Sequence, residues 1–232
     1  LNSNVAEKPS YRHRGICIEG ANSYENIRDI IDWAPKVGFN SYFFQFREAF
    51  TFFDRYYSHI NNPTKQPEPF TVERAREYVA MAAKELEKRG LIHHAVGHGW
   101  TCEPFGIPGL EWKAQDYELS DETKSILAEV DGKRELWKGV ALNTNLCYSN
   151  KNVRATVTEA IAEYLIDHPE VDLLHFWLAD GTNNQCECEN CQTAIPSDFY
   201  VMMLNELDEL LTEKSVERKI VFLIYVDLLW PP

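Results

Sequence analysis

Three cysteines lie within six residues of one another, at Cys186, Cys188 and Cys191 in the segment QCECENCQ. Thiolates at this spacing can share one Zn²⁺, but a closed structural zinc site needs a fourth ligand. Cys147, in the segment NLCYSN, precedes the helix that leads to the strand before this cluster, so topology brings it to the same rim. The four cysteines are therefore candidate ligands of a structural zinc ion, while free thiols or disulfides also fit this spacing.

Acidic and basic residues follow the apolar runs of the sequence, one or two at each run. They are Glu19 after GICI, Arg47 and Glu48 after SYFFQF, His98 after LIHHAV, Asp180 after LHFWLA and Asp227 after LIYV. Hydrolysis of a glycosidic bond uses two carboxyl groups, one to protonate the leaving oxygen and one to attack carbon or activate water. We therefore take Asp180, Asp227 and Glu48 as candidate catalytic residues.

Other residues near the same positions have side chains suited to binding a sugar. Tryptophan rings pack against the C–H-rich faces of sugars, and four tryptophans lie at or beyond the ends of apolar runs, namely Trp100, Trp112, Trp177 and Trp230. His98 and Arg47 are candidate hydrogen-bonding residues of the same pocket. His94 and His98 are too far apart on an extended strand to bind one metal ion together.

The elements that must position these residues alternate between strand and helix. Residues 15–19, 41–46, 91–96, 171–178 and 219–226 have the pattern of strands, and helices capped by Ser23, Thr71 and Asn150 and a helix over 196–214 lie between them. Such alternation predicts an α/β fold with parallel strands. An open doubly wound sheet and a (β/α)8 TIM-type barrel both fit, and the long loops after strands favour the barrel. Only five strands are predicted, so the barrel is expected to be incomplete or a fragment.

Composition limits the partners and the organisation of the chain. The 232 residues carry a formal net charge of -13, which disfavours a nucleic-acid partner. No apolar run approaches the roughly 20 residues of a membrane span. We expect residues 1–10 to be a boundary or linker and residues 11–232 to form the barrel domain, truncated at its C-terminal end. We also expect further domains in a longer parent chain, and a periplasmic or secreted location with a leader that is not in this chain.

Several segments resemble family 20 glycoside hydrolases, the β-N-acetylhexosaminidases. The Arg-Gly pair of YRHRGICIEG is similar to their first strand, the Gly-His pair of GLIHHAVGH to their third, and VDLLHFWLADG to their fourth. The order NLCYSN, DG, CxCxxC and a strand ending in Pro-Pro is more similar to the bacterial family called domain of unknown function 4838. Together these segments cover nearly the whole chain.

This resemblance implies roles for three residues. Arg14 matches an arginine that hydrogen-bonds sugar hydroxyls at the pocket floor, His98 matches a pocket histidine, and Asp180 matches the catalytic carboxylate pair. The sequence departs from the family at that pair, since the neighbours of Asp180 are Ala179 and Gly181 and one carboxylate is missing. Asp227 or Glu48 would have to replace it.

The sequence thus predicts a carbohydrate-active protein, a glycoside hydrolase that needs no cofactor beyond a structural zinc ion if one is present. Two alternatives stay open. The missing carboxylate fits a non-catalytic glycan-binding barrel, and the CxCxxC cluster fits a thiol or metal module. Whether the chain is an enzyme is not decided by its residues.

Overall fold

Five parallel strands form one sheet whose spatial order follows the order of the chain. Numbered in chain order, they are β1 (Gly15–Cys17), β2 (Ser41–Phe46), β3 (Ile92–His98), β6 (Leu173–Phe176) and β7 (Lys219–Phe222). A short antiparallel hairpin, β4 (Glu129–Val130) with β5 (Lys133–Arg134), lies outside this sheet. The coordinates are a computed structural model that describes residues 4–17 and 20–231. The predicted α/β class with parallel strands is confirmed.

Six α-helices accompany the strands within the described residues. They are α1 (Tyr24–Trp33), α2 (Phe50–Tyr57), α3 (Val72–Lys88), α4 (Asp121–Ile126), α5 (Lys151–Asp167) and α6 (Pro196–Glu213). The predicted caps are confirmed, because the side chains of Ser23, Thr71 and Asn150 each accept a hydrogen bond from a backbone N–H in the first turn. Each such cap satisfies one of the donors left unpaired at a helix start.

Two apolar clusters hold the helices against the sheet. One packs α1, α2 and α3 against β2 and buries Ile27, Phe53 and Leu86. The other packs α5 and α6 against β3 and β6 and includes Ile161 and Leu207. Each fully buried aliphatic or aromatic side chain contributes about 1.5–3 kcal/mol relative to exposure, so these clusters fix the helix positions.

Several elements differ from the prediction. The strands predicted over 171–178 and 219–226 are shorter, at Leu173–Phe176 and Lys219–Phe222, because the chain turns away from the ladder before its apolar run ends. The short helices α2 and α4 and the hairpin were not predicted. The aromatic run that includes β2 continues into α2, so its composition does not mark where the strand ends.

None of the helices in the described part of the chain is long and apolar enough to cross a membrane.

Candidate active site

An aromatic layer covers the face of the sheet opposite to α1 and α3. The ring of Phe43 stacks on His175 with centroids 4.0 Å apart and meets Trp177 edge-on at 5.5 Å. His94 and His175 hydrogen-bond each other, Nδ1 to Nε2, at 3.0 Å. Burial lowers the pKa of both histidines, that of His175 to about 4, so this layer carries no charge near neutral pH.

His98 ends β3 at the carboxyl edge of the sheet and is almost fully enclosed by rings. It stacks on Phe46 at 5.8 Å and meets Trp112 and Trp177 edge-on at 5.3 and 5.1 Å. Burial lowers the pKa of His98 to about 4, and the charge of Asp180 opposes this shift. His98 is therefore a neutral hydrogen-bonding group within electrostatic range of the Asp180 carboxylate.

Asp180 lies just beyond β6 at the same edge, and two hydrogen bonds fix its position. Its Oδ1 accepts a hydrogen bond from the Gly181 N–H at 2.8 Å, and its own N–H donates to the Leu142 carbonyl at 3.0 Å. The phenol of Tyr225 lies near the carboxylate, whose charge raises the pKa of Tyr225. Asp180, His98, Trp177 and Tyr225 thus form one group, which we call the carboxyl-edge cluster.

A buried pair of asparagines supports the backbone on either side of Asp180. Asn145 Nδ2 donates to Asn184 Oδ1 at 3.0 Å, and Asn184 Nδ2 donates to the Asp180 carbonyl at 2.8 Å. Asn145 Oδ1 accepts from the Tyr148 hydroxyl at 2.9 Å and from the Ala179 N–H at 3.3 Å. Because Asn145 is 0% exposed and both its Nδ2 and its Oδ1 are hydrogen-bonded, it joins the segment around residue 145 to the Asp180 loop.

Asp227 lies beside this loop, but both of its carboxylate oxygens are engaged. Oδ1 accepts from the Thr182 hydroxyl and Oδ2 from the Asn183 N–H, each at 2.9 Å. The side chain thereby caps the turn that follows Asp180. Asp227 is at the predicted edge, where it supports the loop.

Two of the predicted site residues, Arg14 and Glu48, make their contacts away from the carboxyl-edge cluster. Arg14 precedes β1 at the amino edge of the sheet, where Nε donates to the Gly38 carbonyl at 2.6 Å, so its expected place in the pocket was wrong. Glu48 turns outward to α3, and Nε of Arg76 contacts both of its carboxylate oxygens at 3.0 Å. Glu19 lies outside the described residues.

Trp100 is a core residue and not a platform for a ligand. Its side chain is 0% exposed, and its indole N–H donates to the carbonyls of Val96 and His175 at 3.0 and 3.1 Å. The loop after β3 turns back under the helices, which encloses the ring. Trp177, by contrast, lies in the carboxyl-edge cluster as expected of a strand end.

Arg47 follows β2 and forms an ion pair with Glu103, Nη1 to Oε2, at 3.1 Å. The other oxygen of Glu103 is buried without a partner among the described residues. Burial raises the pKa of Glu103 to about 8, and the single contact with Arg47 only partly opposes that rise. Arg47 is thus at the predicted edge, with its guanidinium committed to a protein carboxyl group.

Sequence reasoning missed Tyr225 and Glu103, whereas Trp112 was among the tryptophans predicted to pack against a sugar. Tyr225 was assigned to the strand predicted over 219–226, but that strand ends at Phe222. The alternation of side chains along a strand therefore does not predict which way the Tyr225 side chain points. Trp112 and Glu103 lie in the irregular part of the long excursion between β3 and β6, where apolar residues follow neither helical nor strand periodicity. Their residue types were the only available signal.

The four cysteines named above form a compact group. The sulfur atoms of Cys147, Cys186, Cys188 and Cys191 all lie within 4.8 Å of one another. The thiols of Cys186 and Cys191 hydrogen-bond to the Cys147 sulfur and hold the pKa of Cys147 below its usual range. A cavity of about 350 Å³ separates this group from Asp227.

Comparison with solved structures identifies the architecture. The chain superposes over 91% of its length on a mutant O-GlcNAc hydrolase from Thermobaculum terrenum, with a TM-score of 0.50 and 13% sequence identity. It superposes over 91% of its length on the GH36 α-galactosidase from Geobacillus stearothermophilus in complex with stachyose, with a TM-score of 0.52 and 14% identity. A trehalulose synthase mutant gives a TM-score of 0.51 at 10% identity, again over 91% of this chain. No protein-family model and no curated protein sequence matches the chain.

These neighbours are TIM-barrel glycoside hydrolases, so the five-stranded sheet is part of a (β/α)8-type barrel. The predicted incomplete barrel is confirmed. At these identities the likeness establishes the fold alone. The chain spans 35%, 28% and 44% of the lengths of the three neighbours.

Proposed function

We propose that this chain is part of a carbohydrate-active enzyme, a glycoside hydrolase whose sugar site is the carboxyl-edge cluster. The observation that carries the proposal is that Asp180, His98, Trp177 and Tyr225 meet at one edge of a partial TIM barrel. Active sites of TIM-barrel enzymes lie at that edge. The structural neighbours that act on carbohydrates share this barrel.

Each residue of the cluster has a role that its surroundings support. Asp180 supplies a carboxylate that can exchange a proton with a glycosidic oxygen or bind a sugar hydroxyl. Trp177 offers an indole ring against which a sugar face can pack. His98, neutral at physiological pH, can donate or accept one hydrogen bond, and Tyr225 lies near the Asp180 carboxylate.

The motif order supports a closer relation to family 20 glycoside hydrolases and to domain of unknown function 4838. The second carboxylate of the catalytic pair is the weak point of that assignment. The carboxylate oxygens of Asp227 are engaged by the loop, and those of Glu48 are bound to Arg76. In our proposal the second carboxyl group comes from the part of the barrel beyond this chain, in a longer protein that acts outside the cytoplasm.

The experiment is to assay the longer protein that contains this chain against a panel of oligosaccharides and aryl glycosides, with binding measured by calorimetry on the same panel. Asp180→Asn should reduce turnover at least about 100-fold while binding is retained. Asp167→Asn, an exposed carboxylate near the opposite edge of the sheet, is the matched control and should leave both unchanged. Equal loss of binding and turnover would favour the non-catalytic glycan-binding barrel, and no binding to any glycan would contradict both.

A further inference from the structure

The cysteine group has the dimensions of a metal site with four sulfur ligands. Cys147 Sγ lies 3.6 Å from Cys188 Sγ and 3.8 Å from Cys191 Sγ. A tetrahedron of thiolates at the usual Zn–S distance of about 2.3 Å has edges of about 3.8 Å. Cys147 therefore faces two partners at nearly equal distances, as a tetrahedral site requires, whereas a disulfide would pair it with one.

The surroundings of the sulfur atoms supply the hydrogen bonds that a thiolate site needs. The backbone N–H of Glu129 donates to Cys186 Sγ at 3.3 Å. The Ser149 hydroxyl lies 3.1 Å from Cys191 Sγ. Such donors orient ligands and lower the negative charge on sulfur, as second-shell groups do in known metal sites.

A guanidinium group balances the charge of the site. Four thiolates around one Zn²⁺ leave a net charge of −2, which would be costly at a half-buried position. Arg134, on β5, lies near the sulfur atoms of Cys147, Cys186 and Cys188, and its Nε also pairs with Glu129 Oε2 at 3.4 Å. The hairpin β4–β5 thereby brings both the Arg134 guanidinium and the Glu129 N–H to the sulfur atoms.

We propose that Cys147, Cys186, Cys188 and Cys191 bind one structural Zn²⁺. The ion fastens together positions that lie 41 and 44 residues apart in the chain. Thiolates are soft ligands that favour zinc, and four of them leave no open coordination position for a substrate. The role is structural, and it does not depend on what the carboxyl-edge cluster binds.

The proposed zinc site also holds the far end of the loop that contains Asp180. Asp180 and Cys186 belong to one loop, and Cys147 is two residues from Asn145, which is hydrogen-bonded to Asn184. The metal and the asparagine pair therefore join the same two segments in parallel. Loss of the metal should loosen residues 181–195 first, before the sheet is affected.

The test uses protein prepared without a metal-affinity step and measures zinc by elemental analysis. We expect about one zinc per chain, and replacement by Co²⁺ should give the visible absorption of tetrahedral cobalt thiolate. Removing the metal with a chelator should lower Tm by at least about 5 °C, and adding Zn²⁺ should restore it. Cys191→Ser should lose the bound metal and the chelator effect, whereas Cys17→Ser, outside the group, should retain both.

Intact-mass analysis distinguishes the alternatives. Loss of two hydrogens for each pair of these cysteines, with no metal bound, would show disulfides and overturn the proposal. Four free thiols without zinc, or iron in place of zinc, would overturn it as well. If Cys191→Ser fails to fold, zinc content and the cobalt spectrum of the unsubstituted protein still decide the question.

Discussion

Trp177 lies flat against the backbone of Gly97, so closely that no side chain fits between them. A Cβ at position 97 would fall 2.4 Å from Cε3 and 2.6 Å from Cδ2 of the Trp177 ring. This approach sets the position of the indole in the carboxyl-edge cluster, because β3 and β6 pair directly beneath it. The glycine of the Gly-His pair at 97–98 is thus explained by packing.

Gly97→Ala should displace the Trp177 ring and destabilise the protein by about 1–3 kcal/mol, the usual cost of overpacking. The measurement is urea unfolding of the single variants and of the double variant Gly97→Ala with Trp177→Ala. If the clash is the cause, the alanine at position 97 costs almost nothing once the indole is gone. Additive effects of the two substitutions would contradict this explanation.

Tyr225 should report the ionisation of Asp180. The charge of Asp180 is the largest cause of the raised pKa of Tyr225, followed by partial burial. We therefore expect the pKa of Tyr225 to fall in Asp180→Asn. Tyrosine labelled with ¹³C at Cζ, with the resonance assigned by Tyr225→Phe, gives the titration directly. In Asp167→Asn the Tyr225 titration should not move.

Buried histidines should make the fold sensitive to acid. Burial lowers the pKa of His93 from 6.5 to about 4, with Glu170 and Asp172 opposing the shift. As the pH falls, His93 is protonated near pH 6.5 in the unfolded chain but only near pH 4 in the folded chain. The contribution of neutral His93 to the free energy of unfolding is therefore complete above pH 6.5 and is lost as the pH falls toward 4. Between pH 7 and pH 5 the loss should be about 2 kcal/mol for this residue.

Urea unfolding at pH 7, 6 and 5 measures this loss. His93→Phe, which keeps a ring against Phe44, should flatten the dependence of unfolding free energy on pH relative to the unsubstituted protein. Lys84→Gln, at an exposed position of α3, should leave the slope as it is. An unchanged slope in His93→Phe would mean that His93 is not the group that titrates.

Asp227 is expected to matter for the order of the Asp180 loop. Asp227→Ala removes the acceptors of the Thr182 hydroxyl and the Asn183 N–H, so these donors must turn to water. Hydrogen exchange followed by mass spectrometry should show faster exchange in residues 181–186 and no change in β2. Asp208→Ala, an exposed carboxylate on α6, is the control and should not alter exchange there.

Glu48 is expected to be dispensable for turnover. Its carboxylate is bound by Arg76, whose side chain is 63% exposed. The arginine side of this ion pair is therefore in contact with solvent. Glu48→Gln should change the unfolding free energy by about 1 kcal/mol or less. Any activity found in the glycoside panel should stay within about twofold. A loss as large as that of Asp180→Asn would return Glu48 to the list of catalytic residues.

The sequence predicted the elements whose signals are local. Ser23, Thr71 and Asn150 begin helices because a cap needs only the next three residues, and parallel strands follow from alternation of strand and helix. Arg14 could not be placed in this way. The sequence shows that Arg14 precedes β1. The pocket at the other edge of the sheet is formed by segments far apart in the chain, which local patterns do not reveal.

The same distinction, between local signals and contacts among distant segments, applies to the residues of the candidate site. Asp180 and His98 were found because each follows an apolar run. Trp100 was misassigned because it lies only two positions after His98, and the turn at Gly99 (φ +115°) sends its side chain into the core. Tyr225 was missed because the ladder ends at Phe222 while the apolar sequence continues.

The neighbouring positions of β3 and β6 have a further consequence for how this fold can vary. The excursion over residues 99–172 leaves the sheet from one strand and re-enters at the strand beside it. Lengthening a loop twofold raises the entropy cost of closing it by only about 0.6 kcal/mol. Evolution can therefore enlarge, shorten or replace this excursion, with its hairpin and tryptophans, and leave the strand order of the scaffold intact.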